Sequence, residues 1–136
     1  MDALLPNLSQ AIAETVEVAS KGVVQVDARS RIPASGVLWS ADGIIVTAHH
    51  VVERDENIGV GLPDGSSVSA KLVGRDPSTD IVVLQAEASG LEVPAWADLE
   101  ALKVGHFVLG LGRPGKTIRA TLGIAGVLGE SWRTPM

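Results

Sequence analysis

The sequence predicts an all-β protein: a small closed antiparallel barrel preceded by one helix. Short apolar stretches recur at regular spacing after residue 22, the pattern of a barrel built from short strands. Asp-Gly pairs separate several of them and supply the positive φ that tight hairpins demand. Trp39, Trp96, Phe107 and Trp132 are the only aromatics, so the core must be made of Val, Ile, Leu and Ala, which suits closely packed strands. A chain of 136 residues, 46% of them hydrophobic, fits one compact domain with a single core.

Residues 7–20 read as the helix. Asn7 and Gln10 have capping-box spacing, and Leu8, Ile12, Val16 and Ala19 form one apolar stripe that packs the helix onto its neighbour. Val23 to Asp27 is the first strand. Gly36 to Ser40 and Ile44 to Thr47 form a hairpin around Ala41-Asp42-Gly43. Asn57 to Leu62 and Ser67 to Val73 form a second around Pro63-Asp64-Gly65; in it Val68, Ala70 and Leu72 alternate with Ser67, Ser69 and Lys71, giving one wet face. Ile81-Val82-Val83-Leu84 is unbroken apolar and β-branched, the mark of a strand buried on both sides. After a polar stretch, Gln85 to Leu102, the last strands are expected at Val104 to Leu111 and Thr117 to Val127, joined by Gly112-Arg113-Pro114-Gly115.

Charge and composition exclude several classes. A net charge of −5 with scattered basic residues argues against a nucleic-acid surface. No run of about 18 apolar residues exists to span a bilayer. With no Cys there is no disulfide, thiolate metal site or Cys nucleophile. The opening Met-Asp-Ala-Leu-Leu-Pro lacks a basic region and a long apolar core, so it does not read as a signal peptide and leans toward a cytoplasmic protein.

Two clusters can carry chemistry. Thr47-Ala48-His49-His50-Val51-Val52 follows a strand, and adjacent residues point apart, so only one of the two His faces a given cleft. Arg75-Asp76-Pro77-Ser78-Thr79-Asp80 precedes the apolar strand: Asp76-Pro77 is turn chemistry, whereas a carboxylate at Asp80 abuts apolar residues and needs a hydrogen bond or a cation. A His followed by an Asp at barrel strand ends is the beginning of the His, Asp, Ser order of one class of catalytic triad. In it the Asp fixes the imidazole tautomer and the imidazole takes the proton of a Ser hydroxyl. Alone, each cluster is more simply structural.

Alternatives are weaker. A metal site drawn from His49, His50, His106 and Asp80 lacks the i, i+4 spacing of helical zinc motifs, so no metal is expected. Gly110-x-Gly112-x-x-Gly115 copies part of a dinucleotide fingerprint but precedes a strand, not a helix, and no cofactor is expected.

The stretch from Ala34-Ser35-Gly36 through Asp42-Gly43 to Thr47-Ala48-His49-His50-Val51-Val52 resembles the HtrA/Deg family of trypsin-like serine proteases around the catalytic His. Val73-Gly74-Arg75-Asp76-Pro77-Ser78-Thr79-Asp80-Ile81-Val82-Val83-Leu84 is similar to the family's segment bearing the catalytic Asp, and Val104-Gly105 to Gly112-Arg113-Pro114 to a later strand. The resemblance covers roughly residues 22–130 in order. It implies a six-stranded antiparallel Greek-key β-barrel, the N-terminal half of a trypsin-like fold. It places the catalytic His at His50 and the Asp at Asp80.

Three segments follow from it: a helical segment at 1–21, the barrel at 22–130, and at 131–136 the start of a linker to a second barrel. The family's Gly-x-Ser-Gly-Gly nucleophile loop is absent from these residues, and Ser131 in Gly129-Glu130-Ser131-Trp132 is an ordinary polar residue. The implied parent activity is bacterial serine endopeptidase hydrolysis of polypeptides without a cofactor, and the chain alone is expected to be inactive. The implied partner is a C-terminal barrel; the face that would meet it is expected to be apolar, inviting self-association. Members of the family often work in the periplasm or are otherwise exported. The competing class is a naturally truncated, non-enzymatic barrel that binds a peptide or partner chain.

Overall fold

The computed structural model describes residues 2–129. Helix α1 spans Leu4–Ala19 and starts earlier than the capping-box pattern suggests. Pro6 sits in its first turn, where a missing N–H is not needed. Asn7 is therefore already helical, its N–H donating to the Ala3 carbonyl at 2.9 Å. The expected capping box does not form: Ala3 occupies the cap position, and the Gln10 amide instead donates to Glu14 one turn on. The stripe of Leu8, Ile12, Val16 and Ala19 is the half-buried face, as the periodicity predicts.

Six strands follow and close on themselves: β1 (Val23–Asp27), β2 (Ala34–Leu38), β3 (Ile44–Ala48), β4 (Ile58–Gly61), β5 (Ser67–Asp76) and β6 (Ile81–Ala86). Around the barrel the order is β1-β2-β3-β6-β5-β4, all neighbours antiparallel. The meander β4-β5-β6 lies beside β3, which is the Greek-key arrangement that the resemblance implies. The core is aliphatic, with Val24, Val26, Leu38, Ile45, Val60, Val82 and Leu84 fully buried. Val68, Ala70 and Leu72 of β5 pack against it from the inward face, matching their alternation in sequence.

The turns are local chemistry realised. Gly43 has φ +100° in the β2–β3 turn and Gly65 φ +91° in the β4–β5 turn, both conformations disfavoured for a residue with a Cβ. The strand at 81–84 differs from expectation. Val82 and Leu84 are buried, but Ile81 is exposed and Val83 half-buried. In a closed barrel only the inward face of a strand meets the core, so an unbroken apolar run does not guarantee two covered faces.

β7 (Phe107–Gly112) and β8 (Arg119–Ile124) pair with each other, in a ribbon separate from the barrel. Arg113, only 5% exposed, seats the ribbon. Its guanidinium donates to the carbonyls of Val23, Lys116 and Ser20 at 2.7–2.9 Å, and its own N–H donates to Ser35 Oγ at 2.7 Å. Burial pulls the Arg113 pKa below the ordinary guanidinium value. Three well-made hydrogen bonds from the guanidinium offset the desolvation of a cation that has no ion-pair partner among the described residues.

Candidate active site

The register of β3 against β6 builds the site. Ala48 lies opposite Ile81, so the residues that leave the two strands, His49 and Asp80, lie side by side. The His49 N–H donates to the Asp80 carbonyl at 3.0 Å, extending the ladder by one bond. The chain then turns sharply through a single 3₁₀ turn, His49–Val51, closed by the Val52 N–H donating to the His49 carbonyl at 3.2 Å. Val51 and Val52 anchor that turn in the core. His50, between the ladder and the anchors, projects outward over Asp80.

Asp80 arrives by a second tight turn. The Asp76 carboxylate accepts from the Ser78 N–H at 3.1 Å and the Ser78 hydroxyl at 2.6 Å, as an Asp-Pro turn predicts. Asp80 itself has φ +57°, a left-handed conformation that Asp adopts more readily than most residues. This turns the carboxylate back onto the His segment. Its Oδ1 accepts the His50 backbone N–H at 2.9 Å, and its Oδ2 lies 2.6 Å from His50 Nδ1.

The pair is open to solvent, with the His50 side chain 66% and the Asp80 side chain 47% exposed. Hydrogen bonding therefore satisfies the Asp80 carboxylate, as its place beside an apolar strand requires. The bond from the His50 ring, then the His50 amide, holds the Asp80 carboxyl below its ordinary value. With Nδ1–H donated to Asp80, Nε2 keeps its lone pair and faces away from the carboxylate, which is what a general base requires.

The neighbouring His49 has a different environment. Its Nδ1 lies 3.3 Å from Nη1 of Arg75, near the end of β5, and it makes no bond to the Asp80 carboxylate. Arg75 also donates to the carbonyls of Val52 at 2.7 Å and Arg54 at 3.1 Å, and to Asp55 Oδ1 at 2.9 Å. Nothing in the sequence singled this arginine out. The only trace was its place immediately before the Asp76 turn.

The remaining candidates are elsewhere. His106 precedes β7, and its Nδ1 accepts the Lys103 N–H at 3.0 Å, a local turn bond. The Gly110-x-Gly112-x-x-Gly115 segment leads into strand β8. Ser131 and the expected linker at 131–136 lie outside the described residues.

Comparison with known proteins gives the chain a family. A family model described as "Trypsin-like peptidase domain" matches residues 34–134. A "Probable periplasmic serine endoprotease DegP-like" of Pseudomonas putida is 42% identical over 98 residues, 71% of this chain and 20% of the relative. Its namesake in Chlamydia trachomatis is 35% identical over 104 residues, 76% of this chain and 21% of the relative. A third of the same name, in Halomonas elongata, is 45% identical over 80 residues, 59% of this chain and 17% of the relative. The match thus spans about a fifth of the length of these relatives.

Proposed function

The chain belongs to the trypsin-like peptidase domain family, and from that premise we propose that it forms the base-bearing half of a serine endopeptidase active site. His50 is the general base and Asp80 its orienter. The observation that carries this reading is the 2.6 Å bond between His50 Nδ1 and Asp80 Oδ2.

In the reaction, His50 Nε2 takes the proton of a serine hydroxyl as that oxygen bonds to the scissile carbonyl carbon. The carboxylate of Asp80 stabilises the imidazolium so formed. His50 then returns the proton to the departing amine, and in the second half-reaction it deprotonates the water that releases the acyl group. The nucleophile and the oxyanion donors would come from a second barrel, because no Gly-x-Ser-Gly-Gly stands in these 136 residues. Seating that barrel over the pair would also exclude water, which strengthens every charge interaction there. The substrate class carried over from the relatives' names is a polypeptide, and the compartment is the periplasm.

The test joins this chain to the second barrel of a DegP-like relative and measures hydrolysis of an unfolded protein. We expect turnover by the fusion that His50→Ala abolishes and His49→Ala leaves largely intact. We expect neither turnover nor labelling by a fluorophosphonate from the 136-residue chain alone. A fusion whose activity depends on His49 rather than His50 would overturn the assignment.

A further inference from the structure

We infer that Arg75 is the positioning residue that holds the His50-bearing turn in register with Asp80. The inference rests on the reading of His50 and Asp80 as a working pair, and adds to it a group outside the triad.

The two members of the pair stand on separate arms. Asp80 closes the β5–β6 turn, and Arg75 is one residue from the start of that turn at Asp76. His50 stands on the 3₁₀ turn after β3, whose far side runs into the coil at 52–57. Beyond the buried Val52, that coil is attached by the Glu53 N–H donating to the Ala28 carbonyl at 2.9 Å, by the exposed Arg31–Glu53 ion pair, and by the Arg54 side chain, which reaches the Asn57 and Asp27 carbonyls and the Asp27 carboxylate; none of these reaches the Asp80 arm. Arg75 ties the coil to the Asp arm. Its Nη1 contacts His49 Nδ1 at 3.3 Å and the Val52 carbonyl at 2.7 Å, so one nitrogen touches residues on both sides of His50. Its Nη2 takes the Arg54 carbonyl and the Asp55 carboxylate.

The bulge in β5 explains how a side chain near this strand end reaches so far round. Pairing with β6 shifts register between Leu72 and Gly74, leaving Val73 looped outward and re-aiming the residues that follow. The Arg75 side chain is then only 19% exposed, well covered for a cation. Its fork geometry is what makes this reach possible. A guanidinium presents five donors in one plane and can bracket several acceptors at once, whereas an ammonium is a single point charge on a flexible stem. Lysine can keep the charge beside Asp55 but cannot span His49, Val52 and Arg54 together.

Removing the bracket leaves Val51 and Val52 seated in the core and the His49–Asp80 ladder bond in place, but lets the outward-facing side of the 3₁₀ turn shift slightly relative to the Asp80 carboxylate. A 2.6 Å hydrogen bond between two exposed side chains is sensitive to such a shift. The consequence is read on the tautomer of His50. Held by Asp80, the ring carries its proton on Nδ1; released into water, an imidazole favours Nε2–H.

The experiment is ¹⁵N NMR of the 136-residue chain at about pH 8.5, where a free imidazole is neutral. It compares wild type, Asp80→Asn, Arg75→Lys and Arg75→Met. We expect wild-type His50 to be mainly Nδ1–H, and both Arg75 variants to lose that bias while Val24, Leu38 and Leu84 keep their native amide shifts. Arg75→Lys decides the matter should Arg75→Met fail to fold. If a folded Arg75→Lys keeps the wild-type tautomer, Arg75 only braces the surface and the inference is wrong. If wild-type His50 shows no bias that Asp80→Asn removes, the pair itself is misread, and that failure is distinct from the first.

Discussion

Both oxygens of Asp80 are committed, one to the His50 amide and one to the His50 ring, and this double use determines what a substitution there does. In Asp80→Asn the backbone N–H of His50 still requires an acceptor, so the amide oxygen turns to it and the NH₂ faces the ring. His50 Nδ1 must then accept, which forces its proton onto Nε2, the atom that should be the base. We predict an inverted tautomer by ¹⁵N NMR and, in the fusion with a second barrel, a fall in kcat of about 10⁴. Retention of the Nδ1–H form in Asp80→Asn would contradict the geometry. The acid response follows from the same bonds. Because the folded Asp80 carboxyl titrates below its ordinary value, the stabilisation it gives is complete above the ordinary carboxylate pKa of about 3.9 and is lost as pH falls through the lower, folded value. A ¹³C titration of the Asp80 carboxyl should therefore show its midpoint below that of an unpaired aspartate. A midpoint at the ordinary value would mean that the bond does not persist in solution.

Among the elements, the two hairpin glycines separate conformational strain from steric contact. Gly43 and Gly65 both need positive φ, but a Cβ at Gly43 would lie 2.6 Å from the Ala86 carbonyl and 2.9 Å from that of Ala88, whereas one at Gly65 meets nothing within 4 Å. We predict that Gly65→Ala costs about 1 kcal/mol for the backbone alone, and that Gly43→Ala costs roughly 2–3 kcal/mol, as two rigid carbonyls must also move. Thermal unfolding of the two variants measures the difference; equal shifts in Tm would show that the β2–β3 turn relaxes freely. These turns were legible in the sequence because their chemistry is local: Asp42-Gly43 and Asp64-Gly65 state the required φ by themselves. The helix start was not, because Asn7 offers a cap while Pro6 permits an earlier turn, and sequence does not rank the two. The exposed side of Ile81 is illegible in the sequence for a related reason, since apolar character reports β-propensity without saying which face is covered. At the site, His50 and Asp80 could be picked out from motifs that keep their residue types. Arg75 could not: two of its acceptors are the carbonyls of Val52 and Arg54, and a backbone carbonyl leaves no mark on residue identity.

For the whole molecule, the barrel is complete and the β7–β8 ribbon is not. Register places Phe107, Leu109 and Leu111 on the same face as Ile124, Leu122 and Ala120. Helix α1 turns Ala11, Ile12, Thr15 and Ala19 toward this face across an apolar groove of about 380 Å³. The covering is partial, for Phe107 and Ile124 remain about 60% exposed and Leu122 53%. Strand β8 also pairs on one side only among the described residues, and an unpaired edge beside exposed apolar side chains is a template for association. Each of those three side chains is already partly covered, so burying what remains is worth roughly half of the 1.5–3 kcal/mol of a fully exposed side chain, on each of two copies. Against this stands an association cost of about 4–15 kcal/mol. Gain and cost are of similar size, so we predict a weak self-association, visible only at high concentration, rather than a tight dimer. Sedimentation velocity over a wide concentration range should show the weight-average mass rising. Leu122→Lys removes the central side chain and places a charge in the groove, and should weaken association by about tenfold or more. A chain that sediments as a monomer throughout, or a Leu122→Lys variant that associates as wild type does, would place the association surface elsewhere. A second barrel that covers this ribbon should suppress self-association, so the fusion protein should remain monomeric at concentrations where the 136-residue chain does not.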